Sequence, residues 1–123
     1  MGQNFLSNPM VIADICDNIP DLDSFDCILE IGPGLGAITE YLVNTNKPVI
    51  GVELDKRLYA DLKSKFKKQT NLTLVNNDFL EIDLSELTKK YKSVIVIANI
   101  PYSITTPIIL KCLSFSKIKT LIK

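Results

Sequence analysis

The chain has 123 residues, of which 46% are hydrophobic and 23% charged, which fits one globular domain. It contains no histidine, which excludes a Ser-His-Asp triad, histidine-bound zinc and an imidazole general base. The formal net charge is zero, but acidic residues are in excess over residues 1–60 and lysines over residues 61–123. These charges are typical of solvated helix faces. They also allow a cation site in the first half and, at Lys89, Lys90, Lys92 and Lys111, a phosphate-binding surface in the second.

Three widely spaced cysteines, Cys16, Cys27 and Cys112, indicate buried, reduced thiols in an intracellular protein and no metal site. The longest strictly apolar run, residues 94–98, is too short to span a bilayer, and no signal peptide is recognisable. We therefore expect no membrane contact, and a location in the cytoplasm or, after processing, in an organelle.

Helix and strand patterns alternate along the chain. Asn8-Pro9 is typical of a helix start, and the apolar spacing predicts a helix up to about residue 19. The predicted strands are residues 27–31, 48–53, 72–76, 93–98 and 118–123. A second helix is predicted with Ile38, Tyr41 and Leu42 on its apolar face. A third is predicted over residues 56–68, with Leu58, Leu62 and Phe66 facing inward. Two more are predicted over residues 85–90 and residues 106–115.

This alternation predicts an α/β fold with a parallel sheet, helices on both faces and right-handed crossovers. The strand at residues 93–98 is apolar throughout, as expected for a strand buried on both faces. In such folds a ligand binds at the carboxyl ends of the strands, near the point where the strand order reverses. The polar residues at these ends are therefore the candidate site.

Residues 30–36 read Glu-Ile-Gly-Pro-Gly-Leu-Gly, between the first predicted strand and the next helix. A glycine turn lets the backbone approach a ligand and directs helix-start amides at it. The spacing lacks the G-x-G-x-x-G pattern of dinucleotide sites, and the carboxylate of Glu30 suits a cationic ligand better than a pyrophosphate. We predict ligand contacts at Glu30, Gly32, Gly34 and Gly36; the alternative is a plain tight turn.

Acidic residues also follow the second and third predicted strands. Glu53 lies about 20 residues after the glycine loop, where an acid can accept two hydrogen bonds from a ribose diol, and Leu54 could cover one face of a purine. Asp78 could accept a hydrogen bond from an adenine amine, and Phe79 could supply an aromatic contact. The alternatives are a solvated loop acid at Glu53 and an ordinary turn at Asp78.

Asn99-Ile100-Pro101-Tyr102 directly follows the fourth predicted strand. The side-chain oxygen of Asn99 and the carbonyl of Ile100 could accept both hydrogens of an amine on a flat ring, and Tyr102 could stack on that ring. The alternative is a strand–helix turn stiffened by Pro101 that contains a buried asparagine. By itself, the start of the chain reads as a frayed terminus.

The segments that carry a family resemblance are, in chain order, Gln3-Asn4-Phe5-Leu6, residues 30–36, Glu53, Asn77-Asp78 and Asn99-Ile100-Pro101-Tyr102. Together they resemble the ribosomal RNA adenine dimethyltransferases, the KsgA/Dim family, with the Erm resistance methyltransferases as cousins. The resemblance covers nearly the whole chain. It implies a Rossmann-like, S-adenosylmethionine-dependent methyltransferase that dimethylates two adjacent adenines near the 3′ end of small-subunit ribosomal RNA, with the RNA or its pre-ribosomal particle as partner.

The resemblance also implies roles for single residues. Gln3, Asn4 and Leu6 would lie at the cofactor, and Asn99 would lie between the cofactor and the target base, on which Tyr102 would stack. The predicted catalytic residues are Asn99, Ile100, Pro101 and Tyr102. The predicted cofactor-binding residues are Gln3, Asn4, Leu6, Glu30, Gly32, Gly34, Gly36, Glu53, Leu54, Asp78, Phe79 and Asn99.

Compared with the family, the chain stops where the fifth strand begins. We therefore expect residues 1–123 to be the amino-terminal part of the methyltransferase domain, without the carboxy-terminal helical domain. An apolar sheet edge left exposed in this way favours self-association. Two other functions remain open: a non-catalytic RNA-binding or ribosome-assembly factor with this fold, and half of an NAD-dependent oxidoreductase, which would leave Asn-Ile-Pro-Tyr unexplained.

Overall fold

The computed structural model describes residues 25–98, together with the backbone of residues 118–122. The helices predicted before residue 20 and at residues 106–115 therefore lie outside the described residues. The described elements, numbered among themselves, are β1 (Cys27–Ile31), α1 (Ala37–Val43), β2 (Val49–Glu53), α2 (Lys56–Lys65), β3 (Leu72–Asn76), a 3₁₀ turn (Phe79–Glu81), α3 (Leu84–Leu87), β4 (Val94–Ala98) and β5 (Ile118–Ile122).

The five described strands form one parallel sheet in the order β3-β2-β1-β4-β5. The chain moves outward from β1 to β3 and then returns to the other side of β1, so the strand order reverses between β1 and β4. This confirms the predicted α/β fold and its parallel sheet, with strand boundaries that agree within one residue. The described part of the sheet ends at β5, and self-association through a sheet edge stays a prediction.

Alternate residues of the same strands point into two separate cores. On one face, α1 and α2 cover a core that includes Ile28, Leu42 and Phe66. On the other face, the 3₁₀ turn and α3 cover a second core. Strands β1 and β4 are buried over their whole length, as the uninterrupted apolar run of β4 predicts.

The helices differ from their predicted forms in four details. Helix α2 ends at Lys65 because Phe66 adopts a non-helical conformation and turns into the core, while α3 is a single turn that ends where the hydroxyl of Thr88 donates to the carbonyl of Leu84. Tyr41, predicted on the apolar face, is 37% exposed because it lies at the edge of the stripe that faces the sheet. Leu58, predicted to face inward, is half-buried.

The thiol of Cys27 is fully buried, as predicted, and burial together with the nearby charge of Asp26 raises its pKa to about 12. The other two cysteines lie outside the described residues. Among the helices that the structure describes, none is long and apolar enough to cross a membrane.

Candidate functional site

The glycine loop between β1 and α1 has a backbone that L-residues rarely adopt. The φ angles of Gly32, Gly34 and Gly36 are 70°, 60° and 86°. Gly36 is constrained twice, because a Cβ atom there would lie 2.8 Å from Cε2 of Phe66 and 2.9 Å from Cδ2 of Leu62. Gly34 and Gly36 are buried, and the N–H groups of the three glycines donate to the carbonyls of Val52 and Pro33 and to the carboxylate of Glu53, so they are already paired within the chain.

Glu53, at the end of β2, is tied to this loop. Its Oε1 accepts a hydrogen bond of 2.9 Å from the N–H of Gly34, and its Oε2 accepts one of 3.0 Å from the N–H of Asp55. The side chain is only 6% exposed, so the alternative of a solvated loop acid is wrong. Since an ionised carboxylate can accept about four hydrogen bonds, Glu53 retains acceptor capacity for the two hydroxyls of a diol.

Asn76, the last residue of β3, holds the ends of two strands together. Its Nδ2 donates to the carbonyl of Glu53 (2.9 Å) and to the carbonyl of Leu54 (3.1 Å). Sequence reasoning missed this role, although an asparagine at the last position of a strand in a parallel sheet is a signal that could have found it.

Glu30 lies inside the sheet, on the face covered by α1, between Gly51 of β2 and Ile97 of β4. It is 3% exposed, and its Oε1 accepts a short hydrogen bond from the hydroxyl of Thr39, which is fully buried on α1. The pKa of Glu30 is raised from 4.5 to about 7, chiefly by burial. This value includes the hydrogen bond from Thr39, which lowers the pKa, and the charge of Glu53, which raises it. Thr39 is a second residue that sequence reasoning missed.

Neither of these two buried carboxylates has a salt-bridge partner within the described residues, where the one ion pair joins Lys89 and Glu86. Buried charges without a compensating cation are costly, and proteins usually keep them where function needs them. The pair is therefore suited to a positively charged ligand placed beside the glycine loop. No group of side chains in the described ranges could hold a metal ion.

Asp78 and Phe79 follow β3 and differ in what they offer. Asp78 is half-buried, and its Oδ1 accepts from the N–H of Leu80 at 3.0 Å, so it caps the 3₁₀ turn and the predicted turn is present. Phe79 requires a correction: its ring is 4% exposed and packs in the core beside α3, because the capped turn directs it inward. Little of the ring is left for an aromatic contact with a ligand.

Three exposed leucines lie in the loops after β1, β2 and β3. Leu35 is 63% exposed, Leu54 is 66% exposed and Leu80 is 42% exposed. Leu54 was predicted to cover a purine face; Leu35 and Leu80 were missed, although each is an apolar residue within a predicted ligand loop. The other large hydrophobic side chain that is exposed in the described part of the chain is that of Tyr41. The three leucines therefore give the carboxyl ends of the strands an apolar rim that is suited to a ring system.

The structure thus brings the predicted residues of the first three loops to one edge of the sheet. Hydrogen bonds link the β1 loop to the end of β2 and the end of β2 to β3. At β4, Ala98 pairs with Ile31, so the chain after β4 leaves from this same edge. The predicted site residues outside the described ranges are Gln3, Asn4, Leu6, Asn99, Ile100, Pro101 and Tyr102.

A parallel sheet in the order 3-2-1-4-5, with a glycine loop after β1 and a buried acid after β2, defines a class of protein: Rossmann-like domains that bind an adenosine-containing ligand. Similarity to known protein families identifies one family within this class. Residues 1–122 match the family model "Ribosomal RNA adenine dimethylase". The chain belongs to the ribosomal RNA adenine dimethylase family, which confirms the resemblance and displaces the oxidoreductase interpretation.

Individual relatives agree with the family. The chain is 46% identical over 117 residues to the ribosomal RNA small subunit methyltransferase A of Ureaplasma urealyticum, covering 90% of this chain and 41% of that protein. Among solved structures, the 23S rRNA methyltransferase ErmE is 30% identical with a TM-score of 0.72 and covers 94% of this chain and 44% of its own. A dimethyladenosine transferase from Plasmodium falciparum is 26% identical with a TM-score of 0.74, covering 94% and 41%. The chain thus spans about two-fifths of the length of the curated relative it matches.

Proposed function

We propose that this chain is the amino-terminal, cofactor-binding part of a methyltransferase that uses S-adenosylmethionine to methylate the exocyclic amines of adenines in ribosomal RNA. We further propose that its substrate is two adjacent adenines of small-subunit RNA, each dimethylated, within a pre-ribosomal particle in the cytoplasm. The observation that carries the proposal is the pair of buried carboxylates beside the glycine loop, Glu30 and Glu53, which have no salt-bridge partner among the residues that the structure describes.

The described residues fit each chemical part of this cofactor. The remaining acceptor capacity of Glu53 suits the ribose hydroxyls, and Asp78 lies one loop further, where an adenine amine could be recognised. The exposed rim that includes Leu54 suits the faces of the purine. Glu30, beside the glycine loop, suits the cationic methionine part, because a nearby cation favours the ionised form of a carboxyl group.

The catalytic role falls to the segment that directly follows β4. The side-chain oxygen of Asn99 and the carbonyl of Ile100 accept the two amine hydrogens, which favours a pyramidal nitrogen with a localised lone pair. Tyr102 stacks on the base, and Pro101 limits the freedom of the segment. The adenine must be unpaired or extruded from a helix to reach this position.

S-adenosylmethionine, when bound, supplies a methyl group that is already activated on a sulfonium. The chain's own residues therefore need to hold the amine in line and exclude alternative orientations, and no strong base is required. This agrees with a sequence that contains no histidine.

The proposal is tested by calorimetry and by methyl transfer. The protein should bind S-adenosylmethionine and not NADH, and it should methylate small-subunit particles that lack the modification. Asn99→Ala should preserve cofactor affinity and lower methyl transfer by orders of magnitude, while the control Asn44→Ala, at the exposed end of α1, should change neither. Cofactor binding without any transfer by the wild-type protein would instead favour the non-catalytic RNA-binding alternative.

A further inference from the structure

The amino ends of the strands form a second connected region at the opposite end of the sheet. Nδ2 of Asn71 donates to the carbonyl of Lys47 at 2.9 Å, and Nζ of Lys47 donates to the carbonyl of Phe25 at 3.0 Å. The N–H of Lys92 donates to Oδ2 of Asp26 at 2.8 Å. The segments that lead into β3, β2, β1 and β4 are therefore joined in the same order as the strands.

The segment between α3 and β4 is held in place by its own hydrogen bonds. The hydroxyl of Thr88 donates to the carbonyl of Leu84 at 2.7 Å, and the N–H of Tyr91 donates to the carbonyl of Thr88 at 3.0 Å. With Lys92 fixed through Asp26, the backbone of this segment is anchored at both ends. The exposed side chains of Lys89, Lys90 and Lys92 therefore extend from a backbone that is held in place.

We name the exposed lysines of this segment, Lys89, Lys90 and Lys92, the amino-end lysine cluster. Two acids lie beside it: Asp26, whose Oδ2 accepts from the Lys92 amide, and Glu86, which pairs with Lys89 at 3.3 Å. The side chains of Lys89 and Glu86 are 65% and 71% exposed, so this ion pair is weak and easily exchanged for another anion. Counted over residues 25–98, the cluster thus keeps an excess of positive charge.

A cleft of about 130 Å³ opens between this segment and the sheet face formed by β2 and β3. Its lining includes Lys89, Lys90, the hydroxyl-bearing residues Thr73 and Tyr91, and Glu86. Cations and hydroxyl donors around a small cleft are the groups that contact phosphate and sugar in nucleic acids. The cleft is therefore suited to binding a backbone phosphate beside the exposed lysines.

The lysine cluster is too far from the candidate site to serve the same nucleotide. A five-residue strand at about 3.3 Å per residue separates the two ends of the sheet by roughly 16 Å. This is about twice the Debye length of roughly 8 Å at physiological ionic strength, so the lysines do not neutralise the acidic site at the carboxyl ends. Any anion held by the cluster must belong to another part of the ligand.

We propose that the amino-end lysine cluster binds backbone phosphates of an RNA segment remote from the target adenine, so that the protein contacts a folded RNA at both ends of its sheet. The inference rests on the proposed function, because the RNA substrate supplies the polyanion. It goes beyond that function by assigning a second RNA contact, and it predicts that the cluster matters for a folded RNA and not for a short oligonucleotide.

The test compares the double variant K90A/K92A with the control K67A/K68A, which removes the same charge from exposed positions between α2 and β3, at the same end of the sheet but beside the helices that cover its other face. Binding of a folded small-subunit RNA fragment and of a short single-stranded adenine oligonucleotide is measured between about 50 and 200 mM salt. Each phosphate contact contributes roughly 0.7–0.9 to the slope of log K against log salt. K90A/K92A should therefore reduce the slope for the folded RNA by about 1.4–1.8 and leave that for the oligonucleotide unchanged.

The control variant should match the wild-type protein with both RNAs, and both variants should keep the wild-type affinity for S-adenosylmethionine. Equal slopes for K90A/K92A and the wild-type protein on folded RNA would overturn the inference, and so would an equal loss in K67A/K68A. Failure of the proposed function has a different signature, since the wild-type protein would then methylate neither RNA.

Discussion

Glu30 is expected to destabilise the folded protein at neutral and alkaline pH, and Glu30→Gln should remove this effect. Burial raises the pKa of Glu30 from 4.5 to about 7. Below pH 4.5 the carboxyl is protonated in the folded and unfolded states alike. Between pH 4.5 and 7 the unfolded chain releases the proton while the folded chain keeps it, so stability falls as pH rises. Above pH 7 the full penalty is present.

The magnitude follows from the same pKa values. At about 1.4 kcal/mol for each pKa unit, the rise from 4.5 to about 7 corresponds to about 3 kcal/mol of lost stability. A neutral amide does not titrate, and it can still accept the hydrogen bond from Thr39. Glu30→Gln should therefore have little effect near pH 4 and should stabilise the protein by up to about 3 kcal/mol at pH 8.

Urea unfolding of the wild-type protein and the variant between pH 4 and 8 measures this difference directly. Glu40→Gln is the matched control, because it removes an exposed carboxylate from the neighbouring helix α1 and should leave the difference flat. A constant difference between Glu30→Gln and the wild-type protein across this range would refute the reasoning. The same variant should bind S-adenosylmethionine more weakly at pH 8, since the gain in stability comes from losing a charge that serves the ligand.

Two further substitutions test the packing of the site. Thr39→Val removes the hydroxyl that donates a hydrogen bond to Glu30, so it should destabilise the protein by about 1–3 kcal/mol at pH 8. Because this hydrogen bond lowers the pKa of Glu30, its loss should also move the pH dependence of unfolding to higher pH. Thr39→Ser keeps the hydroxyl and should retain the wild-type profile. Gly36→Ala should cost about 2–4 kcal/mol in thermal unfolding, because it combines a φ of 86° with contacts below 3.0 Å to Leu62 and Phe66. Gly51→Ala should cost clearly less, because its Cβ would meet the flexible end of Leu74 at 3.1 Å and Cγ of Pro33 at an ordinary contact distance of 3.6 Å; equal losses would contradict the argument.

The strands were predictable because their signals are local. Each combines an apolar run with a turn, and β1 and β3 match their predicted bounds. Helix ends were less predictable: Phe66 continues the apolar spacing of α2, yet it terminates the helix because its ring packs between α2 and the glycine loop. The predicted ligand contact of Phe79 was wrong for a related reason. The sequence shows that an aromatic residue follows a strand, but it does not show towards which side of the turn the ring points.

Within the candidate site, the carboxylates proposed to bind the ligand could be selected from the sequence, whereas the residues that orient them could not. Glu30 and Glu53 stand next to recognisable strand ends. Thr39 and Asn76 gain their roles only through contacts made in the folded chain, with Thr39 nine residues from Glu30 and Asn76 reaching the carbonyl of a residue on the adjacent strand. The contact of Thr39 follows from the packing of α1 on the sheet and that of Asn76 from the register of β3 against β2, and neither can be read from the linear sequence.

The charge pattern shows how the fold changes the meaning of a sequence feature. Along the chain, acids dominate the first half and lysines the second. In the folded protein this separation along the chain is lost, because every strand–helix unit places its own residues at both ends of the sheet. Asp78, from the lysine-rich half, lies at the acidic carboxyl ends, and Lys47, from the acidic half, lies at the amino ends. Under the proposed function, the parallel sheet holds a cationic methyl donor at its carboxyl ends and contacts a polyanionic RNA at its amino ends, so one small domain keeps the two ligands apart.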